Sequence, residues 1–367
     1  TNDNTGVGYF SLVNFTGSNA TAVGSGAAAA ATSAGSTTSV GYKSLENLTT
    51  ASYNTALGYY ALNKAVNQVN TAVGTSASSN LGDAQHTVAI GFSALQGTSF
   101  NESCTTSTSS SPATVVNTAD TRIIVGVVVT GTGIPAGTRV KTVTDSTHFV
   151  MGNAAGADVN ATVSATSTLT FYENQGDYNI AVGNYALDAT TSGIKNVAIG
   201  HNAGTEITDG LDNTLVGHNA GAAMTDNTHN VAIGHNALDA ANGGEHFNIA
   251  IGAGALSSEA SGSGGNVAIG HAALNAQDDS SSRNVAIGYL AATLLDGGTD
   301  SVYVGYQAGG VGAITGNGNV AIGKGAALNA TGMENSVFIG KDAGGTGVLN
   351  GTANVCIGKD AGKNFTD

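Results

Sequence analysis

Histidine side chains return at a fixed spacing in this sequence, each directly after a glycine. His201, His218 and His235 are 17 residues apart, and imidazole nitrogens bind Zn²⁺ and similar ions. The three histidines are candidate metal ligands, but no second ligand type accompanies them, so we expect neither a metal nor another cofactor. Aromatic rings in the same column, beside polar groups, are suited to stacking on sugars. The candidate receptor-binding residues of this column are Tyr59, Tyr289 and Tyr306.

Catalytic carboxylates are harder to find than binding residues. Glycoside hydrolysis needs two carboxyl groups about 5–10 Å apart. Asp188 and Asp239 occupy equivalent places three repeats apart, which corresponds to about 14 Å in a stack of strands. We therefore expect no enzymatic activity. A polysaccharide-degrading enzyme with an active site between chains stays open as an alternative.

A short repeat positions these side chains. Residues 230–238 read Asn-Val-Ala-Ile-Gly-His-Asn-Ala-Leu, and versions of this motif occur seventeen times, mostly 16 to 18 residues apart. Such a period is typical of a solenoid. The sequence therefore predicts an all-β fold, a parallel β-solenoid (β-roll or β-helix) of about 17 coils. The repeat glycines are Gly8, Gly24, Gly41, Gly58, Gly74, Gly91, Gly183, Gly200, Gly217, Gly234, Gly252, Gly270, Gly288, Gly305, Gly323, Gly340 and Gly358.

Alternation along the motif predicts which side chains face inward. In a strand, Val231 and Ile233 share one face, and Asn230 and Ala232 share the other. We expect the aliphatic face to fill the interior and the asparagines to form an amide ladder along the stack. The alanine face is then a surface that another backbone approaches closely, which predicts an oligomer; a plain exposed alanine face is the alternative.

One gap of 92 residues, between Gly91 and Gly183, interrupts the period. It predicts three regions: solenoid coils over 1–96, an inserted small β-sandwich-like domain with a Ser/Thr-rich linker over 97–178, and further coils over 179–367. Alternating residues 138–143 and the turn around Pro135 favour strands in the insertion. Four of its charged or polar residues are candidate receptor contacts: Arg122, Arg139, Lys141 and His148.

Composition excludes several classes of function. The chain carries 11 Lys and Arg against 25 Asp and Glu, a net charge of −14, whereas a nucleic-acid-binding protein needs a basic surface. No run of about 18 apolar residues is present, so we expect no membrane insertion. The two cysteines, Cys104 and Cys356, imply no disulfide framework, and Cys356 replaces alanine in the repeat.

The motif resembles known repeats. Residues 54–62, Asn-Thr-Ala-Leu-Gly-Tyr-Tyr-Ala-Leu, are similar to the Asn-Thr-Ala-Val-Gly-Tyr-x-Ala-Leu arrays of phage tail fibres, and the repeat also resembles the head repeats of trimeric autotransporter adhesins. Residues 129–140 resemble a small β-domain of phage virion proteins. The repeat lengths exceed those of adhesin heads, so handedness and strands per coil stay open.

The resemblance implies a trimeric rod in a virion or on a cell surface. Its function would be that of a structural, receptor-binding fibre of a phage tail or virion appendage, which mediates host attachment. Expected partners are two further copies of the chain, a host glycan or surface receptor, and other virion tail proteins. A bacterial trimeric surface adhesin or extracellular filament subunit is the alternative, and a polysaccharide-degrading tailspike is the second alternative.

Overall fold

The structure is a computed structural model that forms two compact units, Thr1–Ile194 and Lys195–Asp367. Among the described residues, none belongs to a helix that could cross a membrane. The described residues are 3–65, 67–80, 84–97, 99–106, 114–117, 128–130, 134, 138–145, 148–152, 167–172, 176–241, 244–258, 264–277, 281–310, 313–345 and 351–364.

The N-terminal unit begins with six three-residue strands, one for each repeat. They pair in parallel, in register, from one coil to the next; Thr55 pairs with Thr71, for example, and Leu57 with Val73. The strands are β1 (Thr5–Val7), β2 (Thr21–Val23), β3 (Thr38–Val40), β4 (Thr55–Leu57), β5 (Thr71–Val73) and β6 (Val88–Ile90).

Six strands of the insertion follow, five of them longer than the repeat strands: β7 (Ser99–Thr106), β8 (Thr114–Asn117), β9 (Val128–Thr130), β10 (Arg139–Asp145), β11 (His148–Gly152) and β12 (Ser167–Tyr172). They close into an antiparallel barrel in the order β10-β11-β8-β7-β12-β9, where two packed sheets were expected. Strand β12 pairs with both β7 and β9, which leaves no gap between the sheet edges. Val129, Val140 and Met151 are buried.

After the barrel, the chain returns to the solenoid with the same strand pairing. Strand β13 (Ile180–Val182) pairs in parallel with β6, and Ala181 lies opposite Ala89. The C-terminal unit continues the pattern with ten more repeat strands and one small extra sheet. Its strands are β14 (Val197–Ile199), β15 (Thr214–Val216), β16 (Val231–Ile233), β17 (Ile249–Ile251), β18 (Val267–Ile269), β19 (Ala276–Gln277), β20 (Val285–Ile287), β21 (Leu294–Leu295), β22 (Val302–Val304), β23 (Val320–Ile322), β24 (Val337–Ile339) and β25 (Val355–Ile357).

The repeat strands therefore stack as parallel β-solenoid coils within each unit, seven strands in one unit and ten in the other. The predicted fold class is confirmed, and each coil holds one repeat strand followed by turns. The turns are also hydrogen-bonded from coil to coil: Asn236 N–H donates to the His218 carbonyl at 3.0 Å, and Leu238 N–H donates to the Ala255 carbonyl at 2.9 Å. Strands β19 and β21 add a second parallel pairing, and isolated parallel bridges such as Leu295 with Ile314 extend it to further coils.

The predicted assignment of the two strand faces is wrong. Ala232, two residues before its repeat glycine (the inner position), is fully buried, while Ile233 and Ile199, directly before theirs, are 38% and 41% exposed. The reason is the thinness of the coil. A coil of about 17 residues encloses so little space that alanine is the side chain that fits inside the strand. The residues one and three before the glycine, the outer positions, face outward.

The repeat glycine forms a corner that other residues cannot adopt. Gly234 has a φ of 139°, a region open to glycine alone among ordinary residues. A Cβ built on it would lie 2.5 Å from the carbonyl oxygen of Gly252 in the next coil. The glycines therefore line up along the stack, as the sequence predicted, because backbone touches backbone at this corner.

Interior volume is shared between two positions of each coil. Where the inner position is alanine, as at Ala232, the fourth residue after the glycine is often leucine, as at Leu238. Where the inner residue is Tyr303, the fourth residue is Gly309, and a Cβ there would lie 2.6 Å from Tyr303 Cδ1. Leu215 with Gly221 and Phe338 with Gly344 follow the same rule. Large and small residues thus compensate within one coil.

The predicted asparagine ladder is confirmed, but it is buried. Asn230 Oδ1 accepts from the backbone N–H of Asn248 at 2.8 Å, and its Nδ2 donates to the carbonyl of Glu245 at 2.9 Å. Asn230 N–H in turn donates to Asn213 Oδ1 at 3.0 Å. Each amide therefore satisfies buried backbone groups of the following coil, which would otherwise be left without partners.

Candidate functional site

The residue directly after the repeat glycine, the ladder position, forms ring stacks on the surface. In the C-terminal unit, His201 and His218 stack at 5.2 Å with 7° between their planes, and His218 and His235 stack at 5.2 Å with 13°. All three rings are exposed. The 17-residue spacing predicted their proximity, because parallel in-register strands place equivalent residues beside each other.

A second stack lies further along the same unit. His271 and Tyr289 have ring centroids 5.0 Å apart, Tyr289 and Tyr306 are 5.6 Å apart, and both pairs are within 14° of parallel. Lys324 Nζ lies 5.3 Å from the Tyr306 ring centre, within cation–π range. Tyr289 and Tyr306, both predicted binding residues, therefore belong to one aromatic surface.

A tyrosine cluster occupies the ladder position in the N-terminal unit. Tyr42 and Tyr59 stack at 5.3 Å, and Tyr60 meets Tyr59 edge-on at 4.5 Å. Lys43 Nζ lies 5.8 Å from the Tyr42 ring centre and forms a 2.9 Å ion pair with Glu46. The hydrogen bond and the charge of Glu46 raise the pKa of Lys43. The cluster combines flat rings with a compensated charge pair, a combination that suits a polar, ring-shaped ligand.

The stacking geometry bears on metal binding. His201, His218 and His235 lie face to face, so in this arrangement their nitrogens are side by side and do not converge on one point. A tetrahedral Zn²⁺ site needs ligand atoms that converge at about 2.0–2.1 Å from the ion. Among the described residues, no group of three or more His, Cys, Asp or Glu is arranged to hold a metal ion.

The candidate residues of the insertion are only partly described. Arg122 lies outside the described residues. Arg139 and His148 are at opposite ends of the β10–β11 pairing, where Arg139 is opposite Gly152 and His148 is opposite Asp145; their side chains are not described. Lys141 is exposed and sits where the register shifts between Val140 and Thr142. The structure therefore brings no pair of these candidates together among the described side chains.

A second surface column was missed. The residue five before the repeat glycine, the pre-strand position, has a left-handed backbone conformation in most coils. His229, for example, has a φ of 59°. His229 stacks on Phe247 at 5.0 Å, and in the N-terminal unit His86 stacks on Tyr178 at 5.0 Å. The column varies in residue type, so the repeat motif does not include it. The recurrence of His, Tyr and Phe just before the Asn or Thr of the motif was the available signal.

The column of pre-strand positions also carries ion pairs. Arg283 Nε and Nη2 donate to Asp300 Oδ1 and Oδ2 at 2.6 and 2.9 Å. The Arg283 side chain, through its hydrogen bond and then its charge, lowers the pKa of Asp300. Both groups are exposed, so the pair contributes little to stability. It does show that neighbouring coils match charge as well as shape at this position.

The outer positions form an apolar surface of the repeat. The residue directly before the glycine is Val, Ile or Leu in all seventeen coils, and these side chains are half-buried or exposed throughout the described chain. Ile357, in the last repeat strand, is 67% exposed. Monomeric proteins seldom leave a contiguous apolar patch of more than a few hundred Å² uncovered. This surface therefore points to an interaction.

Two carboxyl groups in the turns are perturbed. Burial raises the pKa of Asp188, and burial also raises the pKa of Asp239, against the lowering effect of its own backbone N–H and of His235. Asp239 Oδ1 is buried without a hydrogen-bond partner in the described part of the chain. A raised carboxyl pKa suits a proton donor. At Asp239 the buried position and the unpartnered Oδ1 therefore both disfavour the ionised form of the carboxyl group.

The inner cysteine behaves as predicted. Cys356 is a buried, free thiol at the inner position, and burial raises its pKa.

Comparison with known proteins adds nothing further: no protein-family model matches this chain, and no curated protein matches it.

Proposed function

We propose that this chain is a structural and receptor-binding fibre protein of a phage tail or virion appendage, that it assembles as a homotrimer, and that it attaches to a host-surface glycan or receptor. The aliphatic outer positions carry the proposal. They repeat on one face of every coil, although the interior of the coil is already filled by alanine and leucine. An apolar face that the monomer does not need for its own core is a surface for a partner.

A second copy of the chain is the partner that matches this face best. The outer residues recur at every coil of each unit, so the face has a regular period that an identical, parallel chain shares. Self-complementary patches are the usual basis of homo-oligomers. Three copies are favoured by the resemblance of the repeat to trimeric fibres. The alanine face, first expected to lie between chains, is replaced in this role by Val231, Ile233 and their equivalents.

The ladder residues would then flank the interface and stay accessible. Tyr59, Tyr289 and Tyr306 lie two residues from the outer aliphatic position, on the exposed side of the glycine corner. Aromatic faces beside Asn and Lys groups suit sugars. Under this proposal the ladders and the barrel contact the host, and the protein resides in a virion or outside the cell, without enzymatic activity of its own.

Labelled protein and intact bacteria test the proposal. The purified chain should bind the surface of at least one member of a broad panel of bacterial cells, as measured by flow cytometry. Ile233→Asp combined with Ile269→Asp places charges on the outer face and should abolish self-association and reduce cell binding, because avidity is lost. Ala240→Asp, at an exposed turn, is the matched control. Equal cell binding by a stably monomeric double variant would contradict the proposal.

A further inference from the structure

The ladder position of the C-terminal unit contains one gap. His235 and His271 both carry rings there, and the coil between them has Ala253 at this position, followed by Gly254. The backbone stacks without a break through this coil, since Gly254 N–H donates to the His235 carbonyl at 3.0 Å and Ala272 N–H donates to the Ala253 carbonyl at 2.9 Å. Only the side chain of the ladder is missing, and Ala253 is exposed.

The two rings beside the gap are oriented as walls. His235 stacks on His218 within 13° of parallel, so its other face is turned toward the coil of Ala253. His271 stacks on Tyr289 within 14°, so its free face is turned toward the same coil from the opposite side. Neighbouring rings of this ladder are 5.0 to 5.2 Å apart, so two coil steps place the rings of His235 and His271 about 10 Å apart.

That width selects the shape of a ligand. A flat ring in contact with both walls at about 3.5 Å would need them about 7 Å apart, and it would be loose here. A puckered, saturated ring, whose axial hydrogens hold each wall further off, needs about 8 to 9 Å, which is nearer to the spacing of these two walls. A sugar ring with every substituent equatorial presents only C–H groups on both faces, so it can stack on both imidazoles without burying a hydroxyl.

A hydrogen-bond donor lies beside the gap. Asn202 Nδ2 donates to Asn219 Oδ1 at 3.3 Å, and Asn219 Nδ2 donates to Asn236 Oδ1 at 3.3 Å. The next position along this amide ladder is Gly254, which has no side chain to accept. Asn236 Nδ2 is therefore the last donor of the ladder, placed one residue after the His235 wall, where a sugar hydroxyl would be within its reach.

We propose that the slot at Ala253, between the parallel rings of His235 and His271, binds a pyranose sugar whose ring substituents are all equatorial. The proposal names a site and a ligand class for the glycan attachment suggested above, and it rests on that function only for the source of the sugar. The N-terminal unit has two gaps between rings, at Ser25 and Thr75. The gap at Thr75 is a poor slot, because the threonine side chain takes up part of it and the next ladder residue beyond Phe92 is Asn184, not a ring.

Saturation-transfer NMR with methyl β-glucoside tests the slot. Both faces of this sugar should receive saturation, seen at H1, H3 and H5 on one face and at H2 and H4 on the other. Methyl β-galactoside, with one axial hydroxyl, should bind more weakly. His235→Ala removes one wall, so affinity should fall about 2- to 10-fold and one set of protons should lose its signal. No saturation, or saturation of one face only in the unchanged protein, would overturn the proposal.

Filling the gap is the sharper variant. Ala253→His restores the ring that the coils of Gly200, Gly217, Gly234 and Gly270 already carry, so the thermal unfolding curve should be unchanged while glucoside binding is lost. Thr75→His, the same substitution in the poor slot, should leave binding intact. Binding that survives Ala253→His, or adenosine binding more tightly than the glucoside, would contradict the assignment. The assay needs no cells, so a glucoside-binding protein that attaches to no bacterium would refute only the proposed function.

Discussion

The N-terminal and C-terminal solenoid units share an interior but not an outer face. Three residues before the glycine, the first five coils have threonine, from Thr5 to Thr71, whereas nine of the ten C-terminal coils have Val or Ile. Directly before the glycine, valine predominates in the first unit and isoleucine in the second. Inner alanines such as Ala56 and Ala232 are fully buried in both.

This difference separates the residues that the coil needs for its fold from the residues that belong to its outer surface. Both units build the same coil, with the same corner and the same buried amides, on different outer residues. The coil therefore does not require an aliphatic residue three before the glycine. Under the proposal, the denser aliphatic face of the C-terminal unit serves contacts with sister copies, and the comparison predicts that this unit contributes more to self-association.

The corner should matter equally in both units and most of all. Gly58 and Gly234 have φ values of 145° and 139°. In Gly58→Ala and Gly234→Ala, the new Cβ would lie 2.3 and 2.5 Å, respectively, from a carbonyl oxygen of the next coil. Each should destabilise its unit by about 3 kcal/mol or more, as measured by denaturant unfolding. Gly254→Ala, at a φ of 66° with no neighbour nearer than 3.6 Å, is the mild control. A large difference between the two corner variants would break the equivalence of the units.

Volume exchange is tested best in the C-terminal unit, which holds the largest inner residues. Gly309→Ala should cost about 2–3 kcal/mol, because the new methyl group meets the Tyr303 ring. Tyr303→Ala alone leaves a cavity and should cost about 3–5 kcal/mol. Combining Tyr303→Ala with Gly309→Leu reproduces the Ala–Leu pairing of the coil of Gly58 and should recover part of that loss. Strict additivity in this double-mutant cycle would refute the compensation.

The outer face can be converted from one unit's type to the other's. Val231→Thr, Ile249→Thr and Val267→Thr give the C-terminal strands the threonines of the N-terminal unit. The monomer should unfold within about 1 kcal/mol of the wild type, because these side chains are not core. Self-association should weaken about 10- to 100-fold, as measured by mass photometry across a dilution series. A loss of monomer stability without a change in association would reverse the assignment.

The smallest effect concerns Asp188 and Asp239, one in each unit. Burial raises the pKa of both, so folding favours the protonated form and the ionised form costs stability at pH 7. That cost is lost as pH falls through the raised pKa toward the ordinary value of 3.8. Asp188→Asn and Asp239→Asn should each raise Tm at pH 7 by no more than about 2 °C. The gain should shrink near pH 4; a gain that grows on acidification would contradict the sign.

The repeat predicted the solenoid, the glycine axis, the amide ladder and the ring stacks, because a fixed period places equivalent residues side by side. It could not tell inside from outside. Alternation shows that Ala232 and Ile233 face opposite ways, but hydrophobicity alone then favours the isoleucine as core. The decision depends on how much space the coil encloses, which follows from its left-handed residues. Leu238 and Asn236 both have a φ of 53°, and their residue types do not predict this left-handed conformation.

The slot at Ala253 was missed for a related reason. A column of aromatic residues indicates a binding surface, whereas a single alanine within that column indicates only ordinary sequence variation. Its meaning depends on the parallel orientation of the rings on both sides, which the sequence does not contain. The candidate sites of the insertion, such as Arg122, stay predictions.

Sedimentation equilibrium of the unmodified chain at micromolar concentration tests the central claim most directly, namely that the outer aliphatic face is covered by sister copies. Three chains of 35.9 kDa should sediment as one species of about 108 kDa, three times the monomer mass. A single species at the monomer mass, with its aliphatic face in water, would contradict it.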